Sequence, residues 1–296
     1  MDIAIVDMTR NSTVENGLGI PDFLCIGAQK SGTSWLYRVL MEHPRIFMPP
    51  IKELHFFDRI GTDDLALRGR HHELATRGIV KEKRKWFFAD KKRIAYLERI
   101  VSHDTVSPEW YREAYSWPVP EGVRRGDITP SYLELTSEQV AYARKMLGPA
   151  KLILIVRNPL DRQLSQLRMW AQRDKGSRLP QNDDEWLKLF KQMRKYERRG
   201  AYSEGIPVWQ AHFGAENMLV LPYGDLRSDP RGLLAKVEDF LGIARLKKYR
   251  HLADQVHATK KLTVPASVVQ RARKRTAAED EYLKATFGQA FFERTR

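Results

Sequence analysis

The chain has 296 residues, enough for one large α/β domain with a substantial core, and no Gly/Ser/Pro-rich linker divides it. Its 51 Lys and Arg against 37 Asp and Glu leave a net charge of +14, which suits anionic ligands. The usual nucleic-acid signatures are absent (zinc-finger cysteine spacing, RNP-type aromatic strand, heptad-bearing basic helix), and one cysteine with eight histidines in no H-E-x-x-H or C-x-x-C pattern predicts neither metal nor disulfide.

In chain order, residues 1–20 show no basic stretch leading into a long apolar one, and no window approaches the roughly 18 apolar residues of a membrane span. The expectation is a cytoplasmic protein with a loose arm over 1–20 and one domain over 21–296. Residues 22–38, DFLCIGAQKSGTSWLYR, read as a buried strand turning through a glycine-rich loop into an amphipathic helix. Such a loop is a phosphate cradle: glycines bring backbone N–H groups near an anion, and the helix start adds partial positive charge. A nucleoside-triphosphate loop needs Lys directly after its second glycine, but Thr33 stands there and Lys30 comes earlier. The arrangement suits a metal-free oxyanion.

MPPIKELHFFDR, residues 48–59, puts Glu53 and His55 two apart, on one face of an extended chain. Either could act as a base. Residues 60–120, rich in Arg, His and Trp without clear periodicity, predict a helical insertion beside the site. KLILIVRNPLDRQLSQLRMW, residues 151–170, repeats the pattern of apolar strand, loop and helix. Arg157, at the strand's carboxyl end, offers a planar fork of donors to a phosphate, and Ser165 adds a hydroxyl. Residues 200–243 read as a helix, a strand at 217–222 and a helix ending at Gly242, with Tyr202 either near the nucleotide or in the core. The Lys and Arg clusters at 81–93, 194–199 and 271–275 raise local anion concentration or are solvated helix faces.

With these segments the chain resembles the sulfotransferases that use 3′-phosphoadenosine 5′-phosphosulfate (PAPS), in the heparan-sulfate-type and bacterial branch. The loop resembles their 5′-phosphosulfate loop, implying contacts from Lys30, Ser31, Gly32, Thr33 and Ser34. Trp35 matches either the adenine-stacking tryptophan of the cytosolic branch or a core aromatic. RNPLDRQLS is similar to the 3′-phosphate motif, on which Arg157 and Ser165 fall. KELHFFD resembles the segment whose glutamate is the base, implying Glu53 as base, Lys30 as stabiliser of the leaving phosphate, His55 as orienting or alternative base and Asp58 as a substrate-side group. RRGDITPSYLE, residues 124–134, resembles a segment that would put Asp127, Thr129 and Ser131 near the acceptor. The heparan-modifying enzymes carry Lys where this chain has Ile128. His257, Lys260 and Lys261 are the candidates for a basic loop closing over the 3′-phosphate.

The implied fold is an α/β, P-loop-like parallel sheet of about four or five strands flanked by helices. The implied reaction moves a sulfuryl group in line from PAPS to a hydroxyl, less readily an amine, of a carbohydrate or small metabolite. Two rivals stay open: an ATP-using P-loop kinase and a non-catalytic nucleotide-binding module. Neither the acceptor nor the oligomeric state is legible at this level.

Overall fold

The computed structural model describes residues 19–296 apart from 61–64, 86, 87, 89, 104–106, 174–177 and 255–261. Five parallel strands lie in the order β2-β3-β1-β4-β5: β1 Phe23–Gly27, β2 Ile46–Phe47, β3 Arg124–Ile128, β4 Lys151–Val156 and β5 Met218–Pro222. The strand expected at 217–222 is thus present and one residue shorter.

Period-two alternation divides the sheet's residues between two cores, as a parallel sheet covered on both faces requires. Leu24, Ile26, Leu152, Leu154 and Val156 pack on one face with Val140 of α5 (Ser137–Leu147) and Trp209 of α8 (Tyr202–Phe213). Phe23, Cys25, Ile153 and Ile155 face the other way. They pack against Leu36, Val39 and Leu40 of α1 (Thr33–Leu40) and Leu233, Val237 and Leu241 of α10 (Pro230–Leu241). Cys25 is a fully buried free thiol that burial pushes up to about 12, so it behaves as a small core residue. Gly126 is required by packing: a Cβ there would lie 2.2 Å from the Phe23 ring.

The 60–120 region is helical where described: α2 Leu65–Lys83, α3 Lys91–Ser102 and α4 Pro108–Ala114. Asp90 and Ser107 cap α3 and α4 by accepting from the third-residue N–H groups. On the far side α6 Pro159–Arg173, α7 Asp183–Gln192 and α11 Ala266–Phe287 share a third apolar cluster built on Leu167, Phe190 and Val268. Two short helices, α9 Asp225–Ser228 and α12 Gln289–Glu293, and 3-10 turns at Pro130–Glu134, Met193–Gly200 and Ala215–Asn217 complete the described elements. None of the described helices is long and apolar enough to cross a membrane.

The topology places the loops. From β1 the chain crosses through α1 to β2 on the β3 side, while β4 pairs with β1 on its other side, so the loops following β1 and β4 flank one crevice at the strands' carboxyl ends.

Candidate active site

The loop after β1 ends at Gly32, which has φ 84 and starts α1 with no side chain capping its first N–H groups. Those donors are available to an anion. A Cβ on Gly32 would lie 2.4 Å from Leu226 Cδ1, so glycine is needed for space as well as for backbone conformation. Ser31 is fully buried and its Oγ has no hydrogen-bond partner, while Thr33 is 5% exposed. Lys30 stands at φ 71; burial and the neighbouring Arg157 both pull its ammonium below the usual lysine range.

Arg157, at the end of β4, donates from Nη1 to the Lys30 carbonyl at 2.9 Å. Its guanidinium lies 4.5 Å from the centre of the Tyr223 ring, and its buried Nε has no partner. Tyr202 is fully buried, and its hydroxyl accepts from Arg157 N at 3.2 Å and donates to Arg157 O at 3.0 Å. It therefore holds the Arg157 main chain. Ser165 is buried on α6, two turns beyond the loop.

These groups fit a bis-phosphorylated nucleotide. Uncapped N–H donors, the buried Ser31 hydroxyl, and Lys30 and Arg157, for which no carboxylate partner is found among the described residues, converge on one crevice.

The Glu53–Asp58 turn forms beside the segment after β3. Glu53 and His55 are not extended as the spacing predicted; they have φ 61 and φ 54, left-handed main chain that is strained for side-chain-bearing residues. The two side chains meet nonetheless, with His55 Nε2 3.8 Å from Glu53 Oε2. Phe56 and Phe57 anchor the turn: Phe56 stacks on Tyr111 with centroids 4.3 Å apart, and Phe57 meets Tyr132 edge-on at 5.4 Å.

Charges alternate along this turn. His55 Nδ1 lies 2.8 Å from Asp58 Oδ2, and Ser131 Oγ donates to the same carboxylate oxygen at 2.8 Å. Burial would lower the His55 imidazole, but the hydrogen bonds to Asp58 and Glu53 win and push it up to about 9. Burial would likewise raise Glu53, yet His55 and the Lys52 ammonium bonded to it hold the carboxyl far below the usual range. At neutral pH the turn thus presents imidazolium between two carboxylates.

Other candidates lie deeper than their motifs suggest. Trp35 is 2% exposed in the α1–α10 core with Nε1 donating to Leu252 O at 3.0 Å, the placement of a core aromatic. Asp127 and Thr129 are buried. Asp127 is 1% exposed and accepts from Thr129 Oγ1 (2.8 Å), Tyr132 OH (2.9 Å) and Tyr111 OH (3.0 Å). Burial pushes its carboxyl up to about 6 despite those bonds. Asp58 and Ser131 are occupied in orienting His55. His257, Lys260 and Lys261 lie outside the described residues. Tyr202, expected either near the nucleotide or in the core, is fully buried at the start of α8.

Residues 21–247 match the sulfotransferase family model. The chain is 26% identical over 242 residues to heparan sulfate glucosamine 3-O-sulfotransferase 3A1 of Homo sapiens, covering 80% of this chain and 48% of that protein. It is 25% identical over 240 residues to the bifunctional heparan sulfate N-deacetylase/N-sulfotransferase 4 of Mus musculus, covering 76% of this chain and 22% of that protein. The chain spans about half the length, or less, of the curated relatives it matches. Among solved structures, a sulfotransferase from Alicyclobacillus acidocaldarius superposes with a TM-score of 0.62 at 19% identity, covering 94% of this chain and 100% of that one. This likeness shows the fold. On the family match over most of its length, together with this sheet, the chain belongs to the sulfotransferase family.

Proposed function

We propose that the protein transfers the sulfuryl group of PAPS to a hydroxyl of a carbohydrate acceptor, with Lys30, Ser31, Gly32, Thr33 and Ser34 at the 5′ end and Arg157 and Ser165 at the 3′-phosphate. The observation that carries this reading is the 2.9 Å bond from Arg157 Nη1 to Lys30 O, which joins the two anion-binding loops in one crevice. A carbohydrate acceptor is favoured because the sequence relatives are named for acting on heparan sulfate. Residues 21–296 act as one domain in this reading, and the helices between 60 and 120 shape the acceptor side. A cytoplasmic location belongs to the same proposal, supported by a composition with a single cysteine.

When bound, the cofactor supplies an activated sulfuryl group on a phosphate leaving group. Lys30 and the first N–H groups of α1 face the charge that develops on that phosphate. Glu53 takes the acceptor's proton. It is ionised at neutral pH, whereas His55, held protonated by its two carboxylates, has no lone pair to receive one. The two protonation states favour Glu53 over His55 as base and leave His55 an orienting role. Positioning and preorganised charge carry the rate.

The test is transfer of radiolabelled sulfate from PAPS to desulfated heparan sulfate, beside neutral oligosaccharides, small alcohols and phenols. Label in saccharide supports the proposal. Label only in small alcohols or phenols would replace the acceptor class, and no label anywhere despite tight adenosine 3′,5′-bisphosphate binding would favour the non-catalytic module.

A further inference from the structure

The main chain at Glu53 calls for a physical cause. A left-handed glutamate persists only where its surroundings over-determine it. Two buried side chains hydrogen-bond the main chain of this turn. Tyr132, itself hydrogen-bonded to Asp127, accepts from Phe56 N at 3.1 Å. From the insertion, His71 of α2 sets Nε2 3.2 Å from the Glu53 carbonyl oxygen.

A carbonyl oxygen only accepts, so Nε2 carries the hydrogen and the tautomer follows from the contact. His71 is 1% exposed and stacks on Trp110, with ring centroids 4.9 Å apart and planes 15° from parallel. Its other nitrogen, Nδ1, is buried without a hydrogen-bond partner, and burial pushes the imidazole down to about 4. The ring is therefore neutral at pH 7 and confined by its stack to one orientation. One residue earlier on α2, Arg70 Nη2 lies 3.9 Å from Glu53 Oε2, so the same helix addresses both the backbone and the carboxylate of Glu53.

We propose that His71 is a positioning residue: by donating from Nε2 to the Glu53 carbonyl, it locks the left-handed turn and fixes the direction in which the Glu53 carboxylate points. The insertion then does more than border the acceptor. It sets the aim of the base. This inference rests on the reading of Glu53 as the proton acceptor, but its structural half can be measured without any acceptor.

The experiment compares His71→Leu, which removes the donor, with His71→Gln, whose terminal amide can replace Nε2–H. Protein carrying carbon-labelled glutamate is titrated by NMR, with Glu53 assigned by its loss in Glu53→Gln. In wild type and His71→Gln the Glu53 carboxylate should titrate far below an ordinary glutamate. In His71→Leu it should move up toward the ordinary range, because a relaxed turn draws the carboxylate away from Lys52 and His55. Transfer to desulfated heparan sulfate should fall by roughly 10²-fold in kcat in His71→Leu, the scale of a misplaced catalytic group. Adenosine 3′,5′-bisphosphate affinity should hold, and His71→Gln should recover most of the rate. Should His71→Leu not fold, His71→Asn, whose shorter amide cannot reach the carbonyl, takes its place. An unmoved Glu53 titration in the variant without the donor overturns the proposal, as does equal loss of rate in the Leu and Gln variants. If wild type transfers nothing to any saccharide, the acceptor reading fails while the titration still decides what His71 does.

Discussion

Arg157 and Lys30, 127 residues apart in sequence, meet through a 2.9 Å hydrogen bond from the guanidinium of one to the carbonyl of the other. The bond ties the loop after β4 to the loop after β1. Because the sheet order makes those strands neighbours, both cations sit above one edge-to-edge seam, where one nucleotide with phosphates at both ends can touch both.

Substitution at the two cations should separate binding from rate. Arg157→Ala should weaken adenosine 3′,5′-bisphosphate by about 1.5–3 kcal/mol, the worth of a charge-assisted hydrogen bond, read by calorimetric titration. Lys30→Ala should lower single-turnover transfer by roughly 10²-fold, the scale set by removing one preorganised donor. An unchanged rate in Lys30→Ala would take that residue out of the mechanism.

Glu53→Gln should leave bisphosphate affinity within about twofold of wild type and abolish transfer, since the cofactor contacts lie in the other loops. His55→Gln should retain measurable turnover. The reverse ranking would make His55 the base.

Tyr202→Phe removes the hydroxyl that bonds both the N–H and the carbonyl of Arg157. Leaving buried main-chain groups unpaired costs about 1–3 kcal/mol in unfolding free energy, measurable by denaturant titration. Bisphosphate affinity should fall with it, because the Arg157 loop loses its buttress. Wild-type stability in this variant would show that the hydroxyl holds nothing.

Asp127 and His55 should each contribute a fall in stability with rising pH, while His71, pushed down to about 4 from 6.5, contributes an opposing rise between those two values. Asp127, whose carboxyl stands at about 6 against an ordinary 3.8, contributes fully below 3.8 and loses its contribution as pH rises through about 6. His55, raised to about 9 from 6.5, contributes fully below 6.5 and loses its contribution as pH rises through about 9. In thermal unfolding across pH, the stability advantage of wild type over Asp127→Asn should shrink as pH rises through about 6, and that over His55→Gln as pH rises through about 9. Parallel pH profiles for wild type and both variants would refute this assignment.

Local sequence carried the two strand-loop-helix segments well, because glycine placement, a strand-length apolar run and a terminal Lys or Arg are local signals with local causes. β1, β4 and β5 and the helices after Lys30 and Arg157 follow from them, whereas the two-residue β2 and the charged β3 have no apolar run to mark them. Burial was less legible. Asp127 and Thr129 sit in a motif that looks polar and available, yet Tyr132 of the same motif folds back on Asp127 and Tyr111 of α4 joins it there. Trp35 is likewise claimed by the core through a carbonyl 217 residues away. The left-handed turn at Glu53 and His55 had no glycine to announce it, since its cause lies in tertiary supports at Tyr132 and His71.

The most direct test of the two-loop grip is a calorimetric comparison of adenosine 3′,5′-bisphosphate with 5′-AMP on wild type and Arg157→Ala. The account predicts that the bisphosphate binds wild type at least about tenfold more tightly than 5′-AMP, and that Arg157→Ala erases most of this difference while leaving 5′-AMP binding nearly intact. Equal affinity for the two nucleotides on wild type, or an advantage that survives Arg157→Ala, would contradict it.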